Sequence, residues 1–406
     1  MLRQIFNAYK ASFVGLSRET WLLSIVILVN RCGYMAVPFM GLYITQSLHR
    51  PMSDAGLVIS LFGIGAFLGS AAGGKLTDTF GFRPIQILAS IIGGSLFLVF
   101  SQVQHFSTLC ILSFFISFFH DAFRPANFAA IAAYATPGLE TRAYSLNRLA
   151  TNIGFSFGIT MGGLIASINY VLLFIVDGVV GILVGLSIFL LLPKVKGYRK
   201  AVKEKLVGVY VPKPWKDLLF IKFLMLTTIF TTCFFLMFRV VPVFFKEEWH
   251  IDEATIGLIL GVNGLIIALF EMIMISKLEN KRSPVFYIVT GVIVVASSFA
   301  VLMIPKFLPV IVGLFSVVCF TLGEMFSIPF INTFVIKRSN EFNRGQYAAG
   351  YMMCWSVAQI VAPLAGFYIA ENYSYNALFI GTSLMLLACA YGYSALNFNK
   401  KIQHKI

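Results

Sequence analysis

Charged side chains set inside long apolar runs are the residues of this sequence with chemistry to do. They are Arg31, His120, Asp121, Arg124, Arg148, Glu271 and Glu324. Each costs on the order of 2.5–3.5 kcal/mol in a bilayer unless it is paired or faces a wet cavity. Glu324 stands in Thr321-Leu-Gly-Glu-Met-Phe-Ser-Ile-Pro329, where a Gly and a Pro loosen the helix and no base on that helix is in reach. A carboxylate kept from water in this way can bind and release protons near neutral pH. Glu324 is therefore the first proton-coupling candidate, with Asp121 and Glu271 beside it. The alternatives are plain ion pairs: Asp121 with Arg124 three residues on, and Glu271 with a base near its end of the bundle.

The remaining polar residues fall into stripes. His120, Arg124 and Asn127 follow at i, i+4 and i+7, with Asp121 about 100° round the same helix. Arg148 and Asn152 share a face with Phe155, and Asn30 and Tyr34 are four apart with Arg31 beside them. The second half adds Asn263, Trp355 and Gln359. Lipid would not solvate such stripes, so they are expected to line a central cavity as substrate-binding residues. Arg31, Arg124 and Arg148 suit a carboxylate or phosphate, which a guanidinium pairs in forked geometry. For Arg31 a structural role, on Glu324 or on backbone carbonyls, stands as the alternative. Asp177, Lys222 and Arg239 read as interfacial and receive no role.

These residues are positioned by membrane spans. The 406 residues are 58% hydrophobic and 12% charged, with 41 Phe, a balance that no soluble surface of this size accommodates. Twelve runs of transmembrane length recur, at about 19–45, 54–75, 84–103, 106–134, 142–167, 170–192, 218–245, 255–276, 284–304, 307–335, 346–370 and 374–398. The expected architecture is an all-α membrane protein, twelve transmembrane helices in two pseudo-symmetric six-helix bundles around a central cavity. Residues 1–192 form the first bundle, the basic stretch 193–217 the linker, and 218–406 the second bundle. No cleavable signal peptide is expected, because the first apolar run is long and lacks a small-residue cleavage site. The halves repeat: Gly56-Leu-Val matches Gly257-Leu-Ile, Gly63 matches Gly264, Asp78 matches Glu279, Pro125 matches Pro329 and Gly162 matches Gly366. The net charge of +14 lies almost wholly on the side of the termini, with Arg50, Lys246 and Lys306 the exceptions. That asymmetry is the positive-inside pattern, with both termini cytoplasmic, and it argues against nucleic acid as a partner. All six cysteines lie in apolar runs without metal-ligand spacing and read as core residues.

One short turn carries a signature. Gly73-Gly-Lys-Leu-Thr-Asp-Thr-Phe-Gly-Phe-Arg-Pro84 joins the second and third runs. Read as G-K-L-T-D-x-F-G-x-R-P, it resembles the loop between the second and third helices of the major facilitator superfamily. The resemblance implies a cytoplasmic gate in which Asp78 and Arg83, with Arg142 on the neighbouring loop, act as a latch. Gly74 and Gly81 would let the helix ends approach. The second-half copy, Ser276 to Pro284, keeps the acid and the bases but loses the glycines. The fifth run, with Gly154, Gly158, Gly162 and Gly163, is similar to the glycine motif of the superfamily's drug–proton antiporters and should pack closely on a neighbour. The Pro that follows the second Gly in that motif is Ile159 here, and a Pro appears instead as Pro363 of the second half.

The reading is a proton-coupled exporter of small lipophilic or amphipathic compounds, working by alternating access as a monomer in the bacterial inner membrane. A proton gradient is its energy source, with no cofactor or metal, and its partners are substrate, protons and lipid. The alternative is a proton-coupled uptake symporter for a hydrophilic solute such as a peptide, sugar or organic anion. A membrane enzyme or receptor is the third class, and HExxH, GxSxG and Asp-rich metal motifs are all missing. Gly69 to Lys75 begins like a phosphate-binding loop, but Leu76 stands where Ser or Thr is needed and no strand precedes it.

Overall fold

The computed structural model describes residues 14–137, 139–194, 214–278, 281–304, 308–339 and 344–396, with only the backbone of 140, 141, 272, 276 and 344–346. Residues 195–213 of the expected linker, Lys306 and Glu279 lie outside the described residues. Among the described residues every regular element is helical, and twelve helices are long and apolar enough to cross a membrane. The spans are Arg18–Ser47, Met52–Phe80, Phe82–Phe100, Phe106–Tyr134, Arg142–Ile168 and Tyr170–Leu191 in the first half. Those of the second half are Leu218–Glu247, Glu253–Glu271, Pro284–Val301, Pro309–Arg338, Tyr347–Asn372 and Tyr375–Ala395.

Helix starts follow local chemistry. Ser17, Asn169, Asp217, Ser283 and Ser374 each accept a backbone N–H two or three residues on, satisfying donors that the first turn leaves free. Gly81 alone separates the second and third spans. Its φ is 89°, which a residue with a Cβ adopts only under strain. Neither Gly74 nor Gly81 mediates the close approach expected of them: a Cβ at either would meet nothing within 4 Å.

The first and seventh spans are interrupted, at residues 33–35 and at Val240. A break exposes backbone groups that a bilayer interior cannot solvate, so other side chains must satisfy them. Asp177 does this for the first span, accepting from the amides of Met35 at 3.2 Å and Ala36 at 2.9 Å. Arg239 donates to the Val37 carbonyl at 3.1 Å from the opposite half. Both side chains are buried, which corrects the interfacial placement expected for them.

Glycine decides which spans touch. In the second span Gly65, Gly69 and Gly73 lie against backbone of Phe114, Phe118 and Ala122, so any side chain there would drive the fourth span away. The repeated glycines of the two halves have matching jobs. Gly56 and Gly63 seat the second span on Pro363 and Gln359 of the eleventh. Gly257 and Gly264 seat the eighth span on Gly163 and Ser156 of the fifth. Gly162 packs on Met35 of the first span, and Gly366 on Val240 of the seventh. The halves thus meet along two antiparallel seams, second with eleventh and fifth with eighth.

At the end away from the termini the seams are tied. Gln46 donates to Glu247 at 3.1 Å, the Ser53 amide donates to Glu371 at 2.7 Å, and the Tyr170 hydroxyl donates to Glu253. The ring of Phe155 meets that of Phe238 across the halves at 5.7 Å. Toward the terminal end the fifth and eighth spans remain joined through Arg148 and Glu271. The side chains of Arg124 and Arg148, in the terminal-side halves of their spans, are 44% and 45% exposed. The chamber between the halves is therefore tied shut at the far end.

Candidate functional site

Glu324 stands on the tenth span, facing the eighth. Its Oε2 accepts from the Asn263 amide at 2.8 Å, and the same Asn263 nitrogen donates to Thr321 Oγ1 at 3.0 Å. Among the described residues no cation lies within salt-bridge distance of Glu324. Glu324 as a residue is half-buried. Glu271, two turns along from Asn263 on the eighth span, is buried and ion-paired with Arg148 of the fifth. That pair joins the two halves. Glu324 feels both of its charges. Of the two acids on these facing spans, one has a cation and the other a neutral amide.

The N-terminal wall is built from the first and fourth spans. Asp121 is buried and faces Arg124 at 3.2 Å and His120 Nδ1 at 3.7 Å. The His120 ring stacks on Tyr34 at 4.8 Å, and the Arg31 guanidinium lies 5.7 Å from the same Tyr34 ring. Among the described residues Arg31 forms no salt bridge with Glu324, so that alternative for Arg31 is corrected. Its Nε is buried without a hydrogen-bond partner. Opposite lies an aromatic wall from the seventh and eleventh spans, where Trp355 packs edge-on against Phe234 and Phe235.

The stripes of the first and fourth spans do not all look into the chamber. Only Arg124 of the fourth-span stripe is well exposed there. Asn127 accepts from Gln86 at 3.4 Å and donates to Asn147 at 3.3 Å, an interhelical ladder within the first bundle. Asn30, with Tyr34 and His120, lines a small cavity between the first, third, fourth and sixth spans. The reason is packing: Gly33 brings the Asn30 side of the first span against Val180 of the sixth. Asn152 and Gln359 lie in the seams, their backbone carbonyls against Gly264 and Gly63.

The latch is not assembled in this conformation. Arg83 donates to the Leu192 and Phe189 carbonyls at 2.8 and 2.6 Å, capping the sixth span instead of meeting Asp78. Arg142 reaches the Val14 carbonyl at 3.4 Å. Asp78 is exposed and lines a cleft with Gly74, Pro125 and Tyr144, between the second, fourth and fifth spans of the first half. Gly154 and Gly158 press the fifth span onto the backbone of Leu28 and Cys32 in the first. The carbonyl of Pro363 abuts Gly56.

Asp177 and Arg239 are the residues that sequence reasoning missed. Position along the span suggested an interface, and only the broken helices explain their burial. Arg239 did carry a signal, since it lies 22 residues into a helix that begins at Leu218. For Asp177 nothing local marks the partner, because the amides it binds are about 140 residues away in sequence.

A family model described as Major Facilitator Superfamily matches residues 23–363. The MFS-type transporter YhjO of Bacillus subtilis is 23% identical over 385 residues, covering 94% of this chain and 92% of that protein. The Na(+), Li(+), K(+)/H(+) antiporter of Planococcus maritimus is 24% identical over 374 residues, covering 83% and 86%. Among solved structures, a D-xylose–proton symporter superposes with a TM-score of 0.77 at 14% identity, over 93% of this chain and 97% of that one. At that identity the likeness is one of fold.

Proposed function

The chain belongs to the Major Facilitator Superfamily, and from there we propose that it is a proton-coupled antiporter exporting small amphipathic compounds. It is an integral membrane transporter and not an enzyme. The observation that carries the proton coupling is Glu324: a half-buried glutamate on the chamber, held by a neutral amide, with no cation in salt-bridge distance among the described residues. Asp121 and Glu271 are less suited to the task, because Arg124 and Arg148 already neutralise them.

The geometry supports a specific coupling step. Arg148 belongs to one half, while Glu271 and Glu324 belong to the other. A charged Glu324 competes with Glu271 for Arg148; a protonated one leaves the pair between the halves intact. Proton binding from the chamber thereby biases the fifth–eighth seam, and the two halves rock about it. The antiport sense draws on the Planococcus relative, whose name records exchange of cations for protons. With the termini on the cytoplasmic side, a chamber tied shut at the far end would load from the cytoplasm, as an exporter does. Asp78 would then find its partner as the cytoplasmic end closes. The arginines of the N-terminal wall favour a second reading, uptake of a charged solute together with protons; it differs in the sign of the coupling.

The test is reconstitution in liposomes with an imposed pH gradient, reading substrate accumulation and proton movement together. Glu324→Gln is expected to keep substrate exchange between the two sides and to lose gradient-driven accumulation. Accumulation at the wild-type rate removes Glu324 from the mechanism, and net movement in the direction of proton flow establishes the symporter.

A further inference from the structure

The N-terminal wall of the chamber carries more positive charge than its acid neutralises. Arg31 has a buried Nε without a hydrogen-bond partner, and among the described residues no carboxylate stands within salt-bridge distance of it. Arg124 is close enough to repel it. Asp121, the acid between them, is committed to Arg124 at 3.2 Å and to His120. Arg148 differs, since Glu271 neutralises it. An unpaired guanidinium held beside a second one in a membrane interior is unfavourable until a negative charge arrives. The one acid whose charge reaches it, Asp121, attracts it less than Arg124 repels it.

The same wall runs directly into an aromatic one. The Tyr34 ring that packs on Arg31 also feels the charge of Arg239, and Arg239 lies 6.0 Å over the Phe235 ring. Phe235 in turn meets Trp355 edge-on at 5.8 Å, and both rings are only partly buried by the protein. A cationic corner and an incompletely covered aromatic surface thus lie side by side across the two halves.

We propose that the transported compound is an amphipathic organic anion, whose carboxylate, sulfonate or phosphate pairs with Arg31 while its ring rests on Phe235 and Trp355. Arg124 supplies the second cation of the anion subsite. A guanidinium fork fits such oxyanions with two parallel hydrogen bonds. A cationic compound would meet Arg31 and Arg124 in the same chamber, where Asp121 and Glu271 are already paired. The assignment deepens the transporter reading and rests on its chamber, but it does not depend on proton coupling or on direction.

The experiment is a calorimetric titration of the purified full-length protein in detergent, without any gradient, using 1-naphthoate, 1-naphthamide and 1-naphthylmethylammonium. The acid is expected to bind at least about tenfold more tightly than the amide or the amine, the scale of a charge-assisted hydrogen bond. Arg31→Gln and Arg124→Gln should each weaken the acid by about tenfold while leaving the amide unchanged, and Arg31→Lys should restore part of the loss. Equal binding of acid and amide by the wild-type protein overturns the assignment without reliance on any variant, as does equal or tighter binding of the amine, or no binding of the three. Unchanged acid affinity in Arg31→Gln does the same. Because no gradient enters the titration, failure here leaves the Glu324 scheme standing, and failure of that scheme leaves this result intact.

Discussion

Replacing Gly63 by alanine should push the protein out of the conformation described above. A Cβ at Gly63 would lie 2.7 Å from the Gln359 carbonyl oxygen and 2.9 Å from the Ile360 nitrogen. Both are backbone atoms of the eleventh span and cannot swing aside as a side-chain tip would. The second and eleventh spans must therefore part, and overpacking of this kind costs about 1–3 kcal/mol. At about 1.4 kcal/mol per factor of ten, the ratio of far-end-closed to far-end-open molecules falls roughly five- to 150-fold. Gly74→Ala is the matched control. It adds the same methyl group and the same gain in helix propensity, about 1 kcal/mol, at a place with nothing within 4 Å. Spin labels at Gln102 and Tyr373, exposed at the far end of opposite halves, would report the change as a distance distribution, with the six native cysteines replaced. Gly63→Ala should add a longer-distance population and Gly74→Ala should not. Identical distributions for the two variants would refute the claim that this glycine seats the seam.

Further predictions concern stability. Asp217, just outside the seventh span, accepts from Arg338 at 2.7 and 2.8 Å, from Tyr347 at 3.1 Å and from the Phe220 amide at 3.2 Å. Burial works against its charge, but these partners outweigh it and hold its pKa below the usual carboxylate value. A depressed acid stabilises the fold above its unfolded pKa of about 3.9 and loses that contribution as pH falls through the folded value. Asp217→Asn should thus cost about 3 kcal/mol at neutral pH. The gap to wild type in unfolding midpoint should narrow below about pH 4; a gap independent of pH would contradict the ion-pair account. Asp177→Asn keeps one acceptor for the Met35 and Ala36 amides and sets an NH2 group against the other. It should cost about 1–3 kcal/mol by detergent-phase denaturation, and an unchanged midpoint would show that the break in the first span is satisfied some other way.

The chain's own order of residues determined the spans, the twofold repeat and the family. Twenty apolar residues in a row have one solution in a bilayer, a helix, because only a helix satisfies its backbone from within. The signature between Gly73 and Pro84 and the mid-span charges were legible for the same local reason: a charge among apolar neighbours or a glycine at a turn stands out without any knowledge of its surroundings. The pairing of those charges was not legible. Arg148 could have faced Asp121 or Glu324 on helical periodicity alone, and it faces Glu271 because Gly257 and Gly264 set the antiparallel register of the fifth and eighth spans. Asn127 and Asn30 looked like cavity residues by spacing, yet they point into the first bundle, where Gln86 and the sixth span meet them. Asp177 and Arg239 acquired their partners only when the first and seventh helices broke. Periodicity says which residues share a face, while the partner of that face depends on how distant helices pack, and only the folded chain decides that.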